Sequence, residues 1–241
     1  MNRGPITHIQ RNVREFGMYF DTETDGLIEG DTIPNLHCIC VYDGHADKIY
    51  AFYNENGGCM EEEHVGAAAQ LLIDAHKENR LVCGFNSAQF DLRIMYERAP
   101  QRLKKDIANL AIEHTDLLLD FAARKGFFTS LASLTKPLGA GKTLDAVDSI
   151  QLWKNGNLET VLEYCAQDCR LVACVYNHID MYGRYERIAK SGKHHTVVVE
   201  KYKPWHVAEA LLKAESVDMS WMKDPPDIVG MADWAIYALT S

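Results

Sequence analysis

No stretch of the 241-residue sequence is apolar for long enough to span a bilayer, which takes about 20 consecutive apolar residues. The opening Met1-Asn2-Arg3-Gly4-Pro5 also lacks the apolar segment of a secretory leader. A soluble, cytoplasmic protein with no membrane partner is therefore expected. Basic charge is scarce as well: 25 Lys and Arg face 34 Asp and Glu, a formal net charge of −9. A chain so acidic does not coat nucleic acid by bulk charge, so any such partner must be gripped locally. Only 7 prolines, with 47% hydrophobic and 24% charged residues, exclude collagen-like, low-complexity and wholly disordered chains. The 7 cysteines show no paired spacing of the zinc-ribbon kind, which argues against both a disulfide framework and a structural zinc. Cys165, Cys169 and Cys174 fall on one helical segment and read as small core residues. The length suits one large domain with an appendage.

What the sequence does contain is strand followed by helix. Short β-rich runs at 17–20, 37–42 and 48–53 are separated by Gly, Asp, Asn and Pro clusters and predict three antiparallel strands. A helical pattern over 64–77, an apolar run at 81–85, a second helix over 87–98, a short strand at 114–118, a helix over 130–138 and a long helix over 157–181 follow. That order predicts a layered α/β domain without internal repeats. Beyond residue 182 the character changes, with a β-like run at 196–199, a helix over 206–214, and Pro225-Pro226 before a last apolar stretch.

Chemistry gathers in three acidic segments. Met18-Tyr19-Phe20-Asp21-Thr22-Glu23 reads as a strand ending in two carboxylates two residues apart, which share one face because strand side chains alternate. Like charges side by side are unfavourable and raise a carboxylate pKa unless a cation sits between them. The pair is thus either a divalent-metal site or a solvated strand end before a turn. The second segment, Gly84-Phe85-Asn86-Ser87-Ala88-Gln89-Phe90-Asp91, passes from a buried strand into a helix with Ser87 as its cap. Asp91 falls in the first turn, where an acid also suits the helix dipole. On the long helix Val161, Cys165, Val172, Tyr176 and Ile179 trace an apolar stripe, and Asp168 falls on that stripe. A core-facing carboxylate needs a partner. Tyr164, one turn earlier, projects toward the same place.

These segments resemble the motifs of the DEDDy group of 3′-5′ exonucleases, which includes proofreading domains of DNA polymerases. Asp21-Thr22-Glu23-Thr24-Asp25-Gly26-Leu27 is similar to the first motif, Asn86-Ser87-Ala88-Gln89-Phe90-Asp91 to the second, and Tyr164-Cys165-Ala166-Gln167-Asp168 to the third. Leu152-Trp153-Lys154-Asn155-Gly156 resembles stand-alone members. The likeness covers residues 16–182, leaving 1–15 as an N-terminal extension and 183–241 as a C-terminal appendage of possible substrate-binding use; no polymerase domain fits in the remainder, so a stand-alone form is expected. The resemblance implies a ribonuclease H-like fold, a five-stranded mixed sheet flanked by helices. It also implies two Mg²⁺ or Mn²⁺ ions, with Asp21, Glu23 and Asp168 holding the first and Asp21 and Asp91 the second. Carboxylate oxygen suits such hard cations, and two of them stabilise the attacking and leaving oxygens of an in-line displacement at phosphorus. Tyr164 is implied to orient the attacking water, with nucleoside 5′-monophosphates released from a single-stranded 3′ end. DNA is the expected substrate ahead of RNA. The alternatives are an RNA-trimming exonuclease and a non-catalytic nucleic-acid-binding or scaffold protein of the same fold.

Asn86, Leu27 and Phe90 are the candidate substrate contacts; the two apolar groups either stack terminal bases or pack in the core. Between 184 and 203, six Lys or Arg stand against Glu186 and Glu200, with Tyr182, Tyr185, Tyr202 and Trp205 interleaved or adjacent. This run is either a single-strand track or a solvated face. His194-His195 reads as surface. Gly139-Ala140-Gly141-Lys142-Thr143 ends like a phosphate-binding loop, yet Lys136 occupies the first glycine position and no strand precedes it, which disfavours an ATPase. Asp21, Glu23, Asp25 and Gly26 mimic an EF-hand start, but the twelfth position is Thr32.

Overall fold

In the computed structural model, which describes residues 17–141 and 146–241, a five-stranded sheet forms the centre. Strands β1 (Met18–Thr24), β2 (Leu36–Asp43), β3 (Lys48–Tyr53), β4 (Val82–Gly84) and β5 (Thr115–Asp116) lie in the order β3-β2-β1-β4-β5. The first three pair antiparallel, and β4 and β5 run parallel to β1. This is the mixed sheet that the resemblance implied, three antiparallel strands beside two parallel ones.

Both faces are covered, and the period of two along the strands decides what each face receives. Met18 and Phe20 of β1, with Ile39 and Val41 of β2, pack against α1 (Glu62–Lys77), α2 (Asp91–Arg98) and α3 (Gln101–Glu113). Tyr19 packs on the opposite face against α7 (Leu158–Tyr182), and Cys38 and Cys40 meet Val161, Cys165 and Cys169 of the same helix. All four of those cysteines are completely buried, the small apolar role expected of Cys165 and Cys169.

Local chemistry displaces three sequence expectations. Only Thr115–Asp116 of the 114–118 run is strand, because the Asp116 carboxylate accepts from the Leu118 and Leu119 amides and starts α4 (Leu117–Lys125) there. Ser87 does not cap α2; its hydroxyl bonds the buried His114 ring at 2.8 Å, and the helix begins four residues later. The 130–138 helix is shorter than expected: α5 (Leu131–Thr135), capped by Ser130, gives way to a 3-10 turn at Lys136–Leu138. Helices α3, α4 and α6 (Ala146–Lys154) were not read from the sequence. The 1–15 extension and the Lys142-Thr143 end of the glycine loop lie outside the described residues.

After α7 the chain forms a hairpin of β6 (Arg184–Ile188) and β7 (His194–Val198), then α8 (Val207–Ala214) and α9 (Asp233–Thr240). Val207, Ala210, Leu211 and Ala214 share an apolar cluster with Leu119, Ala122 and Ala123 of α4. Beside it, Asp120 is fully buried and receives two bonds from Arg124, at 2.9 and 3.0 Å, one from the Tyr185 hydroxyl and one from the Trp205 amide, both at 2.7 Å. The Arg124 guanidinium lies 3.6 Å from the centre of the Trp205 ring. Trp234 of α9 donates to the Ala88 carbonyl at 2.8 Å. Among the described residues no helix is long and apolar enough to cross a membrane.

Candidate active site

The C-terminal ends of β1 and β4 open into a cleft of about 550 Å³, the usual place for a ligand beside parallel strands. Its lining includes Asp21, Glu23, Asp91, Tyr164 and Asp168, together with Leu27, Asn86 and Phe90. All eight sequence-selected residues therefore meet in one place, although Asp21 and Asp168 are separated by more than half the chain.

Strand alternation explains how four acids arrive from two sides. Asp21 and Glu23 follow Tyr19 on the face covered by α7, where Tyr164 and Asp168 sit one helical turn apart. The backbone is pinned there by the Cys165 thiol, which donates to the Asp21 carbonyl at 3.3 Å. Thr22 points the other way, and its hydroxyl donates to the Asp91 carboxylate at 2.6 Å as α2 begins. Glu23 accepts a 2.6 Å bond from the Ser149 hydroxyl of α6. Tyr164 is 3% exposed and Asp168 4%, so both groups are held by packing before any ligand enters.

Burial is the main electrostatic fact. Asp91 is 4% exposed, and desolvation pushes its carboxyl up to about 7 against the opposing Thr22 bond. Positive charge entering the cleft would reverse that penalty. Carboxylates in one cleft also repel one another, and as they stand no three His, Cys, Asp or Glu side chains among the described residues close on a single point. The donor chemistry nonetheless suits a divalent cation: four carboxylates from β1, α2 and α7, all hard oxygen donors, share one lining.

The turn that carries Asn86 has its own support. Asn86 adopts a left-handed backbone with φ 63°, a conformation Asn tolerates better than most residues. Asp116 holds it there, accepting from the amides of Asn86 and Ala88 at 2.9 Å each. A side chain at Gly84 would run into Ser87, so glycine allows the strand to turn so tightly.

Sequence reasoning missed Thr22, Ser149 and Asp116. Asp116 before Leu117-Leu118-Leu119 carries a helix-start signature, whereas Ser149 has none, since its role comes from where α6 lands. Leu27 is 73% exposed at the cleft rim, while Phe90 lines the cleft and also packs on the core. The basic run is divided: Tyr185 is buried against Asp120, but Tyr182 and Tyr202 are each 54% exposed. His194 lies on the surface, paired with Glu186 at 2.8 Å.

Comparison with other proteins agrees with this architecture. No curated protein matches the chain. Among solved structures it is similar to the family B DNA polymerase of the hyperthermophilic archaeon Pyrobaculum calidifontis, with a TM-score of 0.52 and 13% identity over 69% of this chain. The match spans 25% of the polymerase chain, and at that identity it speaks for the fold alone. The family model of the RNase_H superfamily matches residues 18–180, the part that contains the whole sheet and every acid of the cleft. The chain belongs to the RNase_H superfamily.

Proposed function

We propose that the protein is a metal-dependent 3′-5′ exonuclease that releases nucleoside 5′-monophosphates from single-stranded DNA ends. The observation that carries this reading is the single cleft lined by Asp21, Glu23, Asp91, Asp168 and Tyr164. Asp21, Glu23 and Asp168 would hold one Mg²⁺ or Mn²⁺ and Asp21 with Asp91 a second, and the bound pair would supply charge stabilisation to the attacking and leaving oxygens at phosphorus.

The chain's own residues do the rest. Tyr164 presents its hydroxyl from a rigid, buried ring and orients the attacking water by hydrogen bonding. Thr22 and Ser149 fix the rotamers of Asp91 and Glu23 through 2.6 Å bonds, which holds each carboxylate in place at the cleft. Leu27 and Phe90 offer apolar surface for the terminal bases at the cleft. Asn86 offers an amide on a turn fixed by Asp116. A nuclease fold with net charge −9 relies on such local contacts rather than on bulk attraction.

Digestion of matched DNA and RNA oligonucleotides, labelled at either end, tests the reading. The expected result with Mg²⁺ or Mn²⁺ is immediate loss of a 3′ label as mononucleotide and a descending ladder from the 5′-labelled strand, with no cleavage in EDTA. Internal cuts, 5′ mononucleotide release, or metal-independent cleavage would overturn it. Faster digestion of the RNA strand would move the substrate assignment to RNA trimming. Metal-independent binding without cleavage would mark a non-catalytic protein.

A further inference from the structure

A second concavity lies along the later turns of α7, formed with Tyr42 of β2, the 3-10 turn at Lys136–Leu138 and Arg184 of β6. Its volume is about 570 Å³, within the range of small-molecule sites. None of the four cleft acids lines it. Two guanidiniums do, from Arg170 and Arg184. Arg170 is loosely held, its side chain 48% exposed and its ion pair with the exposed Glu163 stretched to 3.5 Å, whereas Arg184 is paired through its Nε with Glu186 at 2.6 Å. The one carboxylate in the lining, Asp47, is engaged by the Tyr42 hydroxyl at 2.9 Å.

The walls are aromatic and apolar. Tyr182 is 54% exposed and Met181 37%. The His178 ring rests 4.7 Å from the Tyr182 ring, and its Nε2 is buried without a hydrogen-bond partner. A buried polar atom in that condition is costly unless a ligand or water answers it. Burial also depresses the His178 pKa, which keeps the ring neutral and able to donate or accept at neutral pH.

The geometry points to a second binding site here for a nucleotide: a planar base against Tyr182 and His178, and a phosphate on Arg170 and Arg184. Aromatic rings suit the π-face of any base, and guanidinium forks suit phosphate oxygens. The inference stands on this hollow alone and does not require the acidic cleft to be catalytic. The nucleotide arrives either free or as one unit of a strand.

Calorimetric titration separates the outcomes, using dAMP in one arm and an oligo-dA with a nuclease-resistant 3′ end in the other. The proteins are the unaltered chain, Arg170→Ala, His178→Ala and, as a control on the acidic cleft, Asp168→Ala. Arg170→Ala alters an exposed side chain, so its folding is not at issue, and a thermal melt checks His178→Ala. Affinity for at least one ligand is expected to fall at least about tenfold in both hollow variants, the scale of one lost charge-assisted contact, and to survive Asp168→Ala. Loss in the dAMP arm identifies a free nucleotide; loss only in the oligonucleotide arm identifies a strand. Unchanged affinity of Arg170→Ala for both ligands, or binding abolished by Asp168→Ala alone, overturns the site.

Discussion

Asp120 and Asp91 are both buried carboxylates, 0% and 4% exposed, and they are treated in opposite ways. Asp120 has a bidentate guanidinium from Arg124, the Tyr185 hydroxyl and the Trp205 amide. Its charge is answered inside the protein, and its effect is to tie the start of the C-terminal segment to α4. Asp91 has the Thr22 hydroxyl, a neutral donor, and stands in a lining with three other acids. Burial alone therefore does not mark a functional acid. The difference is whether the fold supplies the compensating charge: at Asp120 it does, through Arg124, and at Asp91 it supplies only a neutral donor.

Substitutions can break this contrast. Asp21→Ala or Asp168→Ala is expected to leave less than about a thousandth of the nuclease rate, more than the loss of a single donor from an electrostatic site, with the thermal melt little changed. Substantial turnover in either variant would remove the acid from the mechanism. Asp120→Ala should do the reverse: a loss of about 3–5 kcal/mol of unfolding free energy in urea, because Arg124 is left buried and uncompensated. If Asp120→Ala folds with unaltered stability, the contrast fails on its structural side. Tyr164→Phe should lower the rate by about 10²-fold at unchanged stability, and equal rates for the two proteins would deny the hydroxyl a role.

A further test concerns pH. The folded protein holds the Asp91 proton up to about 7, whereas the ordinary value is 3.8. Between those values the native state binds more protons than the unfolded one, so stability falls as pH rises from about 4 toward about 7. Denaturation in EDTA across that window should show the decline, and Asp91→Asn should flatten it. An identical slope in the variant would show that Asp91 is not its source.

The acids were legible because their spacings match a known set of motifs: Asp21 and Glu23 on one strand face, Tyr164 and Asp168 one turn apart. The three antiparallel strands were legible because β1 to β3 are short β-rich runs between turn residues. Other features depended on partners distant in sequence. Leu117-Leu118-Leu119 reads as strand or buried helix equally well, since both are continuous apolar runs, and only the reach of Asp116 to their amides settles it as helix. Ser87 looked like a cap but found His114, 27 residues away. Strand β6 is charged at Arg184, Glu186 and Arg187 and read as part of a basic run, while its Tyr185 belongs to the core.

One unbroken 25-residue helix, α7, carries Tyr164 and Asp168 into the acidic cleft and Arg170, His178 and Tyr182 along the arginine-lined hollow. Each residue added to a helix turns everything after it by about 100°. A single insertion between the two groups would swing the hollow's wall out of alignment while leaving the cleft in place, and a deletion would do the same in the opposite sense. The cleft and the hollow are thus geared together like teeth on one shaft.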